Sequence, residues 1–522
     1  MPAVDPHRAE LPVVPLRGSL DDLIAGAVAG DLERDALPPF LLRQRWFGAK
    51  ARPMQAVSFI ERLRLPIEVR PTFLCIVRVQ YESGEPDEYL LPLAVAAGAD
   101  AARLLEFSPG DVLARVANED ALIYETGGDV DTASALLAVI QQRATIEGAG
   151  GSIAGVVVDP GLLVELDPTL TIQRGRADQS NTAFFYGDRL LLKLFRRLEP
   201  GPNPEFEIGS RLTRQGFRAI PRVAGGLAFD RPEHGRTAIG VLQQLVANRG
   251  SAWDFYLQEL GAIVAAPDDL RRQEASLDAA RQLGVRTGEM HVALAGIAEE
   301  AFTPEPLDAA RLASLLDGMA GRASAVLALL RERVDTLPPQ SARQADLVLT
   351  GGEALVRRFS ARPHEESFGE LIRVHGDYHL GQVLRRRDED DFVILDFEGE
   401  PARPLAERRA RQSPLKDLAG MLRSFAYAGQ MVLVPTGEAD ADRVSRLEQV
   451  IADWTRQASD RLLEGYREAT TGAAFLPGSP DTFRWLLDRS MLDKAFYELA
   501  YELNSRPDWT RIPLSYLAGE AR

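Results

Sequence analysis

From about residue 250 to its end the chain places apolar residues at helical spacing over long stretches, 251–265, 268–296, 307–335, 411–434, 439–469 and 481–505, and one segment breaks that pattern. Between 371 and 398 two short apolar runs, Leu371-Ile372-Arg373-Val374 and Phe392-Val393-Ile394-Leu395, each lead straight into a polar, acid-bearing segment. A β island inside a helical region is where chemistry is expected.

Ahead of 250 the pattern differs. Residues 56–64, 71–81 and 88–95 are rich in Val, Ile, Leu and Phe and read as strands, after a helical start near Asp21-Asp22-Leu23-Ile24. A short helix is expected over 131–141. Further strands follow: Ile153 to Val158, Leu170 to Ile172, Thr182 to Tyr186 and Leu190 to Phe195, the last two joined by a Gly187-Asp188 turn. A helix beginning near Pro204 carries Glu205 and Glu207. The expectation is an α+β protein: a cap unit over 1–125, the rest of a β-rich lobe over 126–247, and a mostly helical lobe over 248–522.

At 522 residues the chain is long enough for two or three domains. Its formal charge of −16 is dispersed rather than gathered in a tail, which argues against a nucleic acid or an anionic membrane face as partner. The single cysteine, Cys75, sits in an apolar run and reads as a buried thiol, so disulfide and Cys-rich metal chemistry are excluded. With no basic start ahead of a long apolar stretch and no run of 18 uninterrupted apolar residues, a cytoplasmic location is expected. Lysine is rare: Lys50, Lys193, Lys416 and Lys494 are the only four among 60 basic residues.

Inside the island, His375-Gly376-Asp377-Tyr378-His379-Leu380-Gly381-Gln382 is followed by Ile394-Leu395-Asp396-Phe397-Glu398. Phosphoryl transfer needs a carboxylate near the attacking hydroxyl, a second one on Mg²⁺, and an amide oxygen to complete the metal shell. Asp377, Asp396 and Gln382 supply that set. Lys193, a lone charge on an apolar strand, is expected to reach the phosphates of ATP, held by Glu207 or failing that Glu205. The loop 175–182, with Ser180 and Asn181, would cover those phosphates, and backbone near Gln244 and Val246 would read the adenine edge. Alone, each of these is weak: an acid after a strand is ordinarily a turn residue, and a strand lysine ordinarily reaches solvent. His375-x-Asp377-x-His379 also permits a zinc hydrolase, although the remaining histidines show no ligand spacing.

These residues resemble the aminoglycoside-phosphotransferase-like branch of the eukaryotic-type kinase fold, and the chain from residue 37 onward resembles the bacterial maltokinases. The resemblance is carried by Arg43-Gln44-Arg45-Trp46-Phe47-Gly48-Ala49-Lys50, the 375–384 loop, Leu395-Asp396-Phe397-Glu398-Gly399-Glu400-Pro401, the block from Ser413 to Phe425, and the tail from Asp493-Lys494-Ala495-Phe496-Tyr497-Glu498 to Asn504-Ser505-Arg506-Pro507-Asp508-Trp509. It implies a two-lobed protein-kinase-like fold with an N-terminal cap, ATP and Mg²⁺ as cofactors, and maltose phosphorylated at its anomeric hydroxyl to maltose 1-phosphate. By the same likeness Asp377 is the base, Gln382 and Asp396 are metal ligands, Lys193 binds phosphate and Glu207 is its partner. A trehalose-synthase-like enzyme is an implied partner. Other acceptors, an amino sugar or aminoglycoside, would keep this machinery and change the pocket, and a non-catalytic scaffold would lack it.

Acceptor contacts are sought in the helical region. In 488–505 an apolar stripe of Leu492, Phe496, Leu499 and Leu503 leaves Tyr497, Glu498 and Tyr501 on other faces, and these join His379, Lys416 and Arg423 as candidates. The Arg43 to Lys50 block is open to two roles, binding a phosphate or glucan, or packing the N-terminal β unit. Residues before 37 and over 335–365 look like additions to the pattern.

Overall fold

The computed structural model describes residues 11–164, 170–175, 181–360, 368–433 and 441–521. They form an α+β protein of two compact units, the first made of Met1–Gly216 and Pro221–Val246 and the second of Phe217–Ile220 and Ala247–Arg522.

The first unit is built on two sheets. In one, Met54–Arg64, Thr72–Tyr81 and Asp87–Ala97 run as an antiparallel meander, continued by Ala121–Glu125, by Val112–Val116 and, in parallel, by Val13–Val14. Strand Thr72–Tyr81 is apolar nearly throughout because both its faces are covered. Phe73, Cys75, Val77 and Val79 pack with Leu23, Ile24, Leu32 and Phe40 from the helical start, whereas Leu74 and Ile76 join Leu136, Phe184 and Val241 on the other side. Cys75 lies in that first core, and burial pushes its thiol well up, so it stays protonated.

The other sheet is antiparallel throughout, in the order Thr145–Glu147, Ser152–Val157, Val223–Arg231, Gly235–Gln244, Leu190–Leu194, Thr182–Tyr186, Ile172–Arg174. The expected Gly187-Asp188 turn is present: Tyr186 faces Leu190, and Gly187 takes φ +58°. Trp46 and Phe47 from the basic block pack on Tyr89 at ring distances of 5.9 and 5.2 Å. Arg196 lies 4.9 Å over the Trp46 ring and bonds Glu125 at 2.7 Å, with both charges buried. Of the two roles open to Arg43 to Lys50, packing is the one these contacts display.

In the second unit the six helical stretches read from the sequence appear as Ala252–Ala265, Leu270–Ala295, Ala309–Arg333, Leu415–Val432, Ala441–Ala469 and Pro480–Ser505. Pro339–Thr350 and Gly352–Arg357, inside the span read as an addition, and Arg511–Glu520 are helical too. The β island is real but composed differently. Asn248–Ser251, Val383–Arg386 and Phe392–Ile394 make a three-stranded antiparallel sheet, while the expected run at 371–374 contributes the short strand Glu370–Leu371, paired with Glu305–Pro306, and an isolated bridge from Ile372 to Gln412. Val383–Arg386 ends in two arginines, so a search for apolar runs passes over it.

Among the described residues one helical stretch, Ala309–Thr336, is long and apolar enough by length and composition to cross a membrane. Its buried residues, Leu312, Leu316, Met319, Ala323, Val326, Leu327 and Leu330, recur at helical spacing on one face, which is the pattern of a core helix.

The helices Leu270–Ala295 and Ala441–Ala469 cross at backbone contact. A Cβ on Gly284 would stand 2.0 Å from the carbonyl oxygen of Leu462, and one on Gly465 would stand 2.1 Å from that of Arg281. This approach brings His291 of one helix to Tyr466 of the other, at 3.0 Å. Gly284→Ala is therefore expected to destabilise the chain by roughly 1–3 kcal/mol through overpacking. Gly321→Ala, on an exposed helical position with nothing within 4 Å of the added carbon, should instead stabilise by about 0.5–1 kcal/mol. Thermal denaturation followed by far-ultraviolet circular dichroism separates the two; equal shifts would remove the crossing from this role.

Candidate active site

The loop that carries Asp377 is pinned from below by one buried carboxylate. Asp417, near the start of the Leu415–Val432 helix, accepts the backbone N–H groups of His375 at 2.8 Å and Gly376 at 2.9 Å, and the Nε2–H of His291 at 3.1 Å. Because a carboxylate only accepts, Nε2 of His291 must carry the proton, and Nδ1 then accepts from the Tyr466 hydroxyl. Burial alone would raise the Asp417 pKa; the hydrogen bond from His291 and the polarity of the His291 and His375 rings, with the Gly376 N–H, overcome it and hold the carboxyl below the usual aspartate value. Gly420 lets the same helix close on the loop, since a Cβ there would lie 2.4 Å from the Tyr378 carbonyl oxygen.

His375 ties this loop to the next. Its Nε2 donates to the Leu395 carbonyl at 2.7 Å, and its Nδ1 faces the Asp377 N–H at 3.4 Å. The zinc reading of His375-x-Asp377-x-His379 loses its first imidazole by this geometry, as both ring nitrogens of His375 are engaged. His379 caps the turn Leu380–Gln382 by accepting the Gly381 N–H through Nδ1 at 3.1 Å, and burial lowers its pKa.

Asp396 follows Leu395 with φ +61°, a left-handed conformation uncommon outside glycine and frequent at functional sites. Its Oδ2 lies 3.2 Å from the Gln382 side-chain amide. A carboxylate beside an amide is a hard oxygen donor set, the chemistry that suits Mg²⁺ rather than zinc. On the outer side of the loop, Asp377 Oδ1 stands 3.8 Å from Nζ of Lys494.

Lys494 leads from Asp377 into a cavity of about 190 Å³ in the second unit, whose lining includes Glu400, Arg403, Lys416, Asp493 and Tyr497. Lys416 Nζ bonds Gln412 at 2.9 Å and lies 3.7 Å from Glu400; burial lowers its pKa. Of the acceptor candidates, Lys416 and Tyr497 line this cavity, whereas three others need correction. Arg423 and Glu498 form a buried ion pair, with both Nε and Nη2 on one carboxylate oxygen at 2.8 and 2.6 Å, and the guanidinium lies over the Tyr516 ring at 4.6 Å. They are core residues because their faces of the two helices meet. Tyr501 is 50% exposed, beneath the guanidinium of Arg506.

The first unit holds the phosphate-binding candidates. Lys193 Nζ lies 2.7 Å from Glu205 Oε2, the second of the two acids anticipated, so the emphasis on Glu207 shifts. Glu205 stands in the first turn of the helix Pro204–Arg214, where Asn203 caps its N–H at 2.9 Å; Glu207, two positions on and also buried, turns by about 200° around the helix. Asn181 Oδ1 accepts the Arg196 N–H at 3.3 Å, and Gly175 donates to the Ala183 carbonyl at 2.8 Å. Ser180, and the loop 176–180 with it, lies outside the described residues. The Gln244 N–H is taken by the Arg222 carbonyl at 2.8 Å and the Leu245 N–H by Arg189 at 2.8 Å, so a nucleotide edge cannot use those two donors. Val246 is buried at the end of the unit.

Asp417, His291 and Lys494 were not singled out as site residues from the sequence. An acid inside the apolar run Leu415 to Leu422 and one of only four lysines were the signals available. Replacing Asp417 by Asn puts an amide donor against the loop's own donors. Hydrogen exchange at the His375 and Gly376 amides should then speed by about 10- to 100-fold, or roughly 1.4–3 kcal/mol of local opening. Since the folded carboxyl titrates below its unfolded value, its stabilisation is full above about pH 4 and is lost only as pH falls through the lower folded value. Protection in the wild type should persist through that range; loss of protection well above it would refute the anchoring role.

Comparison with known proteins adds three findings. Residues 40–129 match the model of the maltokinase N-terminal cap domain. The glucosamine kinase of Mycolicibacterium smegmatis is 27% identical over 348 residues, 64% of this chain and 76% of that protein, and the glucosamine kinase of Streptacidiphilus jiangxiensis is 29% identical over 350 residues, 64% and 70%. Among solved structures, a glucosamine kinase crystal form superposes with a TM-score of 0.66 at 19% identity, covering 96% of this chain and 99% of that one. A second, in complex with glucosamine, ADP and inorganic phosphate, gives 0.61 at 19%, covering 97% and 100%. The chain therefore carries a maltokinase-type N-terminal cap and has, over nearly its whole length, the α+β kinase-like fold of glucosamine kinase.

Proposed function

We propose that this chain is an ATP-dependent kinase acting on a hydroxyl of a small, single-ring sugar, with the hexosamines as the leading class. One observation carries the reading: the Asp377 loop, fixed through His375 and Asp417, reaches by way of Lys494 into a cavity of about 190 Å³. That is smaller than the roughly 300–1,000 Å³ of sites for drug-sized ligands, and suits one sugar ring better than two. The likeness to two glucosamine kinases supports an amino sugar. A cavity of about 190 Å³ is also too small for a three-ring aminoglycoside.

In this reading Asp377 orients the acceptor hydroxyl and takes its proton as the phosphoryl group moves in line. The ammonium of Lys494, 3.8 Å from Asp377, can bond an oxygen of the sugar. Lys193, set by Glu205, binds the phosphates of ATP with Asn181 nearby, and the backbone near Val246 reads the adenine edge. Asp396 and Gln382 would hold Mg²⁺, which when bound offsets phosphate charge. The domain limits 1–125, 126–247 and 248–522 serve as the working division of cap, phosphate-binding lobe and acceptor lobe.

A second reading, maltose as acceptor with maltose 1-phosphate as product, is favoured by the cap match over residues 40–129. ADP release measured with glucosamine, glucose, maltose and kanamycin, with and without Mg²⁺, separates them. Glucosamine is expected to lead, kanamycin to give nothing, and omission of Mg²⁺ to abolish turnover. Maltose leading would transfer the assignment to the second reading, and no release with any sugar would end both. Asp377→Asn should fold normally and lose about 10²–10⁴-fold in kcat; Lys494→Met should raise the KM for the sugar while sparing that for ATP.

A further inference from the structure

A cavity of about 600 Å³ in the first unit is lined by neither Lys193 nor Asn181 and has no part in the chemistry above. It opens between the helix Ala99–Phe107, the strand Ala121–Glu125 and the start of the helix Val130–Gln142.

One side of it is polar and held in place. Arg70 Nη2 sits between Asp129 and Asp131, at 2.6 Å from each, and the Tyr124 hydroxyl donates to Asp129 at 3.0 Å. Arg174 bonds Asp111 at 2.9 Å, and Arg103 bonds Asp100. The other side is apolar and open: Phe107 is 74% exposed and Val130 52%, two of the few large hydrophobic side chains left to water among the described residues. Two lining residues also hold polar atoms that lack a hydrogen-bond partner among the described residues, Arg70 Nε and Thr126 Oγ1, and Thr126 is fully buried.

We infer that this cavity is a second saccharide-binding site, one that takes a neutral or amino-bearing sugar of one to three rings. Vicinal hydroxyls both donate and accept, so they match a wall that offers carboxylate oxygens beside guanidinium N–H groups. The C–H face of a sugar ring matches an exposed phenyl flanked by an aliphatic side chain. Charge selects against the alternative ligands: five carboxylates, Asp100, Asp111, Glu125, Asp129 and Asp131, line the cavity against three guanidiniums, and Glu125 is neutralised by Arg196 behind the wall. That balance repels phosphate and nucleotide. The volume falls inside the roughly 300–1,000 Å³ range of ligand sites and exceeds what one ring needs.

The site stands independently of the kinase reading, and its test keeps the two apart. Isothermal titration calorimetry on the full chain with glucose, glucosamine, maltose and maltotriose should show at least one sugar binding when the acceptor cavity is blocked by Tyr497→Trp. Phe107→Ala, at a position too exposed to affect folding, should weaken that event about tenfold or more, near 1.4 kcal/mol, and leave ADP release with the best acceptor unchanged. Asp131→Asn, which keeps the size of the side chain, should weaken it less. The inference is overturned if no sugar in the panel binds the Tyr497→Trp chain, if Phe107→Ala leaves binding unaltered, or if inorganic phosphate competes for the site. Loss of ADP release in the wild type with retained binding would count against the kinase reading alone.

Discussion

The second unit depends on a carboxylate that has no contact with solvent. Asp417 collects two backbone N–H groups of the loop and one imidazole N–H, and a buried charge is tolerable only when its oxygens are bonded in this way. The requirement propagates outward. His291 must sit on one helix with Tyr466 behind it on the next, which demands the glycine crossing at Gly284 and Gly465. His375 must then turn its ring onto the Leu395 carbonyl, which aligns Asp396, two residues past the strand Phe392–Ile394, with the loop of Asp377. Asp377 and Asp396 are thus set by a chain of contacts that begins deep in the helices.

The apolar run of Thr72–Tyr81, the turn at Gly187 and the long helices were legible in the sequence because each is a local pattern. Asp377, Gln382 and Asp396 could be chosen as candidates because a metal-assisted phosphoryl transfer restricts the residue types and their order, and the fold brings Gln382 within 3.2 Å of Asp396. What stayed hidden was set by tertiary contact. Val383–Arg386 is a strand because it lies between Asn248–Ser251 and Phe392–Ile394, not because of its own composition. The helix begins at Pro204 as expected, but Glu205 and Glu207 lie about 200° apart around it, and only tertiary contact brings Glu205 to Lys193.

The scarcity of lysine acquires a physical sense at the site. Arginine is present throughout, and much of it is structural: Arg196 to Glu125, Arg231 to Glu88 and Arg423 to Glu498 are planar forks matched to carboxylates in buried settings. Lys193, Lys416 and Lys494 stand instead beside acids at the functional candidates. An ammonium is a compact charge with rotatable donors, able to leave one oxygen for another as a ligand arrives, which a stacked or bidentate guanidinium does at greater cost.

The helix Pro480–Ser505 shows how one element serves both ends. Leu492, Phe496, Leu499 and Leu503 form its core stripe. The polar positions then divide by helical geometry. Ser490, Asp493, Lys494 and Tyr497, spaced i, i+3, i+4 and i+7, all line the cavity beside Asp377. Glu498 and Glu502, four apart, turn to the neighbouring helix and meet Arg423 and Tyr427. Tyr501 continues the first row by one turn but has run past the cavity into solvent. Sorting these side chains by chemical type put Glu498 beside Tyr497 as a ligand candidate; sorting them by angle separates the two, because the roughly 100° step from Tyr497 carries Glu498 onto the face that meets Arg423.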